Sequence, residues 1–395
     1  MKLLLIKVGK AIEVLKREGI FSGGKRVFSA FFALFRFVGK GQILFVTGGV
    51  GDSARYRTGH VSEELELNGF KCSITVQDNP WLISYVDKFE IFVFHRVLYT
   101  PKVKELLEKI KAAGKEIIFE TDDLVYDAKY LEHMDYFKVM NSFEKKLYEN
   151  GVGGEILADP AVKVCTTTTK FLAEKLREHN KEVFIVPNRL SKKDVEIAEA
   201  ILKAKKLMPE KLQAVKIGYF SGALSHNKDF ATITEVLMLL MEKHENLELF
   251  LVGPLDIESK LQKFADRIKQ FPYTAREKHF ANVASVDINI APLEIGNPFC
   301  ESKSELKFFE AGIVGVPTVA TATQPFFDAI SDGEDGFVAN DTEQWTLKLE
   351  KLISDKDLRA AMGKKAREKS LERYTTANAS NVEYYGYLKS KLKNL

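Results

Sequence analysis

The chain has 395 residues, 45% hydrophobic and 29% charged, enough for two domains with cores of their own and the balance of a soluble globular protein. A formal net charge of +3 names no partner, and no nucleic-acid partner is expected. Three cysteines, Cys72, Cys165 and Cys300, lie far apart without metal spacing, which excludes a disulfide framework and favours a reducing, cytoplasmic setting.

Residues 1–40 read as helix, break, helix. They hold nine Lys or Arg against Glu13 and Glu18, so the rest of the chain is net acidic. Phe28, Phe31, Phe32, Phe35 and Phe37 interleave with Arg26, Arg36 and Lys40. Basic and aromatic residues together suit the headgroups of an anionic membrane, so residues 1–40 are expected to touch a membrane surface peripherally. Packing on the domain's own surface or on a partner chain is the other reading, because the apolar positions do not form one clean stripe. No apolar run reaches the roughly 18 residues of a spanning helix, and no small-residue cleavage site follows, so no signal peptide is expected.

From Gly41 strands alternate with helices: "QILFVT", "CSITV", "EIFVFH", "EIIFET", "KVCTT" and "VFIVPN". Near-continuous apolar strands separated by helices predict a parallel sheet covered on both faces. The first domain is set at 41–188. Within it, "ILFVTGGVGDSARYRTGH" ends a strand in glycines, and Gly49, Gly51 and Ala54 fit G-x-G-x-x-A, a dinucleotide fingerprint. An NAD site also wants an acidic residue ending the second strand, about 20 residues on; "CSITV" ends later, at Gln77–Asp78. Arg55, Tyr56 and Arg57 follow the loop and suit an anionic acceptor or a solvated first turn. His95 and Arg96 end one strand and Asp122 and Asp123 the next, where ligands meet a parallel sheet. His95 is a candidate catalyst or a satisfied structural group. "CTTTTKF" predicts a helix capped by Thr168 or Thr169.

Residues 189–214, polar and Lys-rich, read as a helical connector. A second alternation follows over 215–375: "VKIGYFSG", "LELFLVG", "DINIAPL", "VPTVATA" and "GFVAN". Residues 376–395 read as a C-terminal helix expected to cross back to the first domain. The stretch "NPFCESKSELKFFEAGIVGVPTVA", 297–320, predicts a helix capped by Ser302, with Glu305 as capping-box partner, running to about Val314 and stopped by Gly315. Helical spacing puts Lys303, Lys307 and Glu310 on one face. Two lysines near a helix start suit a diphosphate, and a carboxylate two turns in suits ribose hydroxyls. A plain Lys307–Glu310 surface pair is the alternative.

This stretch resembles the C-terminal signature of the family-4 ("group 1") retaining glycosyltransferases, a Glu, seven residues, a second Glu, Ala, then G-x-P and an apolar strand. Glu310, Ala311, Gly315 and Pro317 match its second half. The first Glu position falls on Ser302, with Glu301 beside it. "SKSELKFFEAG" is closer to a polysaccharide and O-antigen assembly subgroup carrying K-S-x-x-K before this Glu. "IGYFSGALSHNKDF" resembles the family's glycine loop, with Ala223 where an arginine is usual; "IVPNRL" resembles its hinge and "ISDGEDGFVAND" its late loop. "ARYR" and "TDDL" resemble subgroup runs in the first domain.

The resemblance implies a GT-B architecture, two doubly wound Rossmann-like domains facing a central cleft, here with an N-terminal helical segment. It implies transfer of a sugar from a nucleoside diphosphate sugar to a glycan or lipid-linked saccharide in surface polysaccharide synthesis, with retention and no obligatory cofactor or metal. Donor contacts would come from Gly49, Gly51, Gly222, His226, Lys228, Gly253, Glu301, Ser302, Lys303, Ser304, Lys307 and Glu310. Lys228, Lys303 and Glu310, with His95, would serve the chemistry, and Arg55, Tyr56, Arg57, Arg96, Asp122 and Asp123 the acceptor. A non-catalytic scaffold, a sugar-nucleotide epimerase and an NAD-dependent oxidoreductase are the alternatives.

Overall fold

The structure is a computed structural model that describes residues 23–24, 28, 31–134, 137, 140, 142–207, 214–222, 227–255, 259–274 and 276–392. The chain divides into two compact units, Met1–Arg189 with Ala379–Leu395, and Leu190–Asn378.

The first unit is built on β1 (Ile43–Thr47), β2 (Cys72–Val76), β3 (Ile91–His95), β4 (Glu116–Glu120), β5 (Val164–Thr167) and β6 (Glu182–Ile185), in the order β2-β1-β3-β4-β5-β6. All pairs are parallel. β1, β3 and most of β4 are buried throughout, as expected of central strands without polar alternation. Helices follow from local signals: Thr100 caps Pro101–Ala112, with proline in the first turn, and Thr169 caps Lys170–Arg177 by accepting from Leu172 N. One face of the sheet, with Ile43, Phe45, Ile91 and Val93, packs with Tyr384, Tyr385 and Leu388 from the helix Val382–Lys391. The register aligns Thr47, His95, Glu120 and Thr166 in one row at the carboxyl ends of the strands.

The second unit has β7 (Val215–Phe220), β8 (Leu247–Val252), β9 (Ile268–Phe271), β10 (Ile288–Ala291), β11 (Thr318–Thr321) and β12 (Phe337–Ala339), ordered β12-β11-β10-β7-β8-β9 and again parallel. Ile217, Tyr219, Leu249, Leu251, Ile288 and Ile290 form its core with Leu237, Leu240, Trp345 and Leu349 from the helices Thr234–Lys243 and Thr342–Ser354. β9 is absent from the strands expected above. It is an edge strand whose last three residues are exposed, so it carries no apolar run.

Residues 192–206, read as a connector, form a helix of the second unit. Ser191 and Asp194 make a capping box at its start. Asp194 accepts from Arg276 at 3.0 and 3.2 Å, and Lys205 Nζ donates to the Ala284 carbonyl at 2.7 Å, which ties both ends of this helix to Arg276–Ala284. Among the described residues no helix is long and apolar enough to cross a membrane.

Candidate functional site

Each unit gathers polar groups at the carboxyl end of its sheet. In the first, His95 is almost wholly enclosed, with Thr47 Oγ1 3.1 Å from Nδ1 and Ser53 Oγ 3.0 Å from Nε2. Asp122 Oδ1 lies 3.7 Å from the same Nε2. Arg96 has a left-handed backbone, φ 48°, and its guanidinium donates to Asp122 at 2.7 Å and to Asp123. Burial pushes the Asp122 pKa up, but Arg96, with His95 and Ser53 behind it, outweighs burial and holds the carboxyl well below its usual range. Asp123 also accepts from Val125 N at 2.9 Å. Both carboxylates are therefore engaged by Arg96.

The first glycine loop is explained differently from its motif. A Cβ on Gly48 would lie 2.0 Å from the Arg96 carbonyl oxygen, so the loop after β1 packs directly on the turn after β3 and only glycine fits. Gly49 and Gly51 face open space.

The run Arg55–Tyr56–Arg57 needs correction. Arg55–His60 winds as a π-helical segment with Tyr56, Arg57, Thr58 and His60 all buried. Arg57 has 0% exposure. Its Nε and Nη2 grip Glu120 at 2.8 and 3.1 Å, and Nη1 reaches the Val186 carbonyl and Asn188 at 2.7 and 3.0 Å. Tyr56 stacks edge-on to His60, 4.6 Å between centroids. Only Arg55, paired with Asp52 at 2.8 Å, reaches solvent. Tyr56 and Arg57 are framework, not acceptor contacts.

In the second unit, Ser221 and Gly222 follow β7 and Gly253 follows β8. Gly253 has φ 109°, and a Cβ there would lie 1.9 Å from the Ser221 carbonyl oxygen, so the two loops touch backbone to backbone. His226 and Ala223 lie outside the described residues. Lys228 is exposed in Asn227–Ala231, beside buried Asp229. Asp229 Oδ1 accepts from Glu294 N at 3.3 Å and from the Cys300 thiol at 3.1 Å. Burial and Asp229 push the Cys300 pKa up, so the thiol stays protonated as a donor. Asp229, Glu294 and Cys300 have ligand atoms within 4.8 Å of one another.

The signature stretch folds as two helices rather than one. Asn297 caps Pro298–Glu301 by accepting from Phe299 N at 3.0 Å. Ser302 closes that helix instead of opening the next: it is fully buried and donates to the Phe299 carbonyl at 2.8 Å. Glu301 accepts from Gly296 N at 3.1 Å. The second helix, Leu306–Gly312, begins after Glu305, which makes no side-chain cap. Ser302 and Glu305 therefore form no capping box, because a buried hydroxyl bonded backward cannot serve the turn ahead. The helix stops short of Val314, and Gly315 turns the chain at φ 74°.

Three expected residues converge here. Lys307 Nζ sits 4.2 Å from the centroid of the Tyr219 ring. Burial and the like charge of Lys303 push its pKa down to about 8, against the pull of Asp229 and Glu310. Glu310 is buried and pairs not with Lys307 but with Arg276 and with His279 Nε2 at 3.1 Å. Arg276 is in turn held by Asp194. Ser304 is half-buried between the two helices. Sequence reasoning missed Asp194, Asp229, Arg276 and His279. Arg276 and Glu310 are 34 positions apart and Arg276 and Asp194 are 82 apart, so no local spacing signals them. Burial and the like charge of Lys303 loosen the hold of Lys307 on its proton, and Asp229 and Glu310 offset this only in part. An added anion would relieve that imbalance.

Comparison with known proteins bears on this cluster. Residues 205–369 match the family described as glycosyl transferases group 1, a span that includes Lys228, Gly253, Lys303, Lys307 and Glu310. The capsular polysaccharide biosynthesis glycosyltransferase CapM of Staphylococcus aureus is 25% identical over 168 residues, 40% of this chain and 42% of that protein. The matched stretch thus spans less than half of that relative. The solved structure of Anabaena Alr3699/HepE in complex with UDP and glucose is similar with TM-score 0.59 at 13% identity, over 89% of this chain and 100% of that one. Sucrose-phosphate synthase from Thermosynechococcus elongatus is similar with TM-score 0.57 at 13% identity, over 89% and 98%. At such identities the likeness shows the fold, two parallel-sheet Rossmann-like units of GT-B architecture, as the sequence predicts.

Proposed function

We propose that the chain is a group 1 glycosyltransferase of polysaccharide synthesis, a reading supported by the match of residues 205–369 to that family and by the likeness to CapM, and that it transfers a sugar from a nucleoside diphosphate sugar to a glycan or lipid-linked saccharide. The observation that carries this reading is the Lys303–Lys307–Glu310 cluster, with one ammonium pushed to about 8 and a carboxylate fixed by Arg276 and His279. A diphosphate supplies the missing negative charge. Glu310, held by Arg276 and His279, is the carboxylate proposed to meet the ribose hydroxyls. The HepE structure, whose bound nucleotide is UDP, makes uridine diphosphate the first donor to test.

In the proposed reaction the bond from the anomeric carbon to the phosphate oxygen breaks, and negative charge grows on the leaving diphosphate. Lys303 and Lys307, with Lys228, stabilise that charge where it forms; one such donor is typically worth about 3 kcal/mol. The acceptor oxygen attacks from the face the phosphate leaves, its proton passing to the phosphate, so configuration is retained. Within the first unit, His95 is held on one nitrogen by Thr47 and on the other by Ser53.

Calorimetry with a panel of nucleoside diphosphates tests the reading. One member should bind, with affinity lost in Lys303→Ala and Glu310→Ala, and its sugar conjugate should yield a retained anomer by NMR when a saccharide is added. A folded chain that binds no nucleoside diphosphate overturns it. Binding without transfer or hydrolysis makes the chain a scaffold.

A further inference from the structure

Five exposed phenylalanines of the first unit form one row. Phe28, Phe31, Phe32, Phe35 and Phe37 are 49 to 64% exposed. Their rings touch: centroids are 4.4 Å apart for Phe28 and Phe32, 6.1 Å for Phe31 and Phe32, and 5.2 Å for Phe31 and Phe35. Phe37 carries the row onto the domain, 6.1 Å from both Trp81 and Tyr85. The backbone here is anchored. Val38 N donates to the Tyr85 hydroxyl at 3.3 Å, and Asn79 Nδ2 donates to the Arg36 carbonyl at 2.8 Å. Trp81, 41% exposed, extends the apolar surface into an open groove of about 740 Å³ that it lines with Pro80, Ile83 and Val86.

Contiguous aromatic surface of this kind marks an interaction site, because each ring left in water forgoes burial. Charge identifies the partner. Residues 1–40 carry nine basic residues against two acidic ones. Arg36 and Lys40 are exposed within the patch, and Lys88 Nζ sits 4.0 Å over the Phe37 ring. Aromatic rings rimmed by cations fit a surface that is apolar below and anionic above, with rings at the acyl boundary and Lys and Arg at the phosphates.

We infer that the aromatic face of Phe28–Phe37 and Trp81 is a docking surface for an anionic lipid bilayer. It stands apart from the sugar-transfer reading, since it uses none of the same residues. The full chain is sedimented with vesicles of phosphatidylcholine, with and without phosphatidylglycerol. It should bind those containing phosphatidylglycerol, be released by high salt through screening, and show blue-shifted tryptophan emission that Trp81→Phe removes. The triple variant Phe31→Ser/Phe32→Ser/Phe35→Ser should bind at least about tenfold more weakly, with an unchanged melting temperature. Absence of binding to anionic vesicles, or a triple variant that binds like the parent, overturns the inference. So does a concentration-dependent dimer that the triple variant dissolves while the parent ignores vesicles, which assigns the face to a second copy.

Discussion

Glu120 in the first unit and Glu310 in the second are both buried carboxylates gripped by an arginine, yet their surroundings differ. Glu120 receives two donors from Arg57 and one from Thr166, and the rest of Arg57 is consumed by Val186 and Asn188. Four of the five guanidinium donors are engaged within the fold. Around Glu310, Arg276 is shared with Asp194, His279 is added, and Lys307 stands over Tyr219 with a weakened hold on its proton. The first arrangement serves the fold; the second is the one that the proposed function would use. Burial of a charge therefore does not separate framework from site, whereas the balance of charge around it does.

The contrast is broken most severely at Arg57. Arg57→Leu leaves Glu120 buried without its partner and should lower stability by about 3–5 kcal/mol, read by urea unfolding. The double variant Arg57→Leu/Glu120→Leu should recover much of that loss, because paired charges of this kind contribute little net stability. Equal losses in single and double variants would show that Arg57 acts through Val186 and Asn188 instead.

Lys303→Ala should do the reverse. The activation free energy of sugar transfer should rise by about 3 kcal/mol, roughly a hundredfold loss in rate, while urea unfolding shifts by no more than about 0.5 kcal/mol. A large stability change with little effect on transfer would place Lys303 with the framework.

Lys307 sharpens the comparison through pH. Its folded pKa, about 8, lies below the ordinary 10.5, so above pH 8 the unfolded chain holds more protons than the folded one. The cost of keeping this charge buried is full below pH 8 and fades as pH rises toward 10.5, so this group makes stability climb across that window. Diphosphate binding favours the charged form and should take up protons above pH 8, seen as a dependence of calorimetric heat on buffer ionisation. Lys307→Met should abolish both effects.

The smallest change is expected at a helix cap whose hydroxyl serves a backbone N–H rather than either carboxylate. Thr169→Ala removes the acceptor for Leu172 N and should cost about 1 kcal/mol in unfolding, with transfer unaltered.

Much of this fold is legible from apolar runs. Five strands of the second sheet and all six of the first follow from them, because central parallel strands are apolar without alternation. β9 is hidden because an exposed edge strand needs no such run. The helix 192–206 reads as a connector since its polar composition does not reveal that Asp194 holds Arg276. At the site, Lys307 and Glu310 are legible as one helical face, whereas Lys303, expected on the same face, lies in the non-helical link before Leu306, and Ser302 misleads too: a serine ahead of a helix resembles a cap until its hydroxyl is seen bonded backward to Phe299. Arg57 misleads for a similar reason. The run of charged residues suggests solvent, and only the π-helical winding turns it inward.

The split composition of the first unit bears on the order in which the protein assembles. Its sheet is synthesised early, but Tyr384, Tyr385 and Leu388, which fill one side of that sheet's core, emerge from the ribosome only after every residue of the second unit. The stretch Leu190–Asn378 is continuous and has its core complete first. Until the last helix arrives, the earlier sheet keeps an apolar side uncovered on the nascent chain, a natural substrate for chaperones.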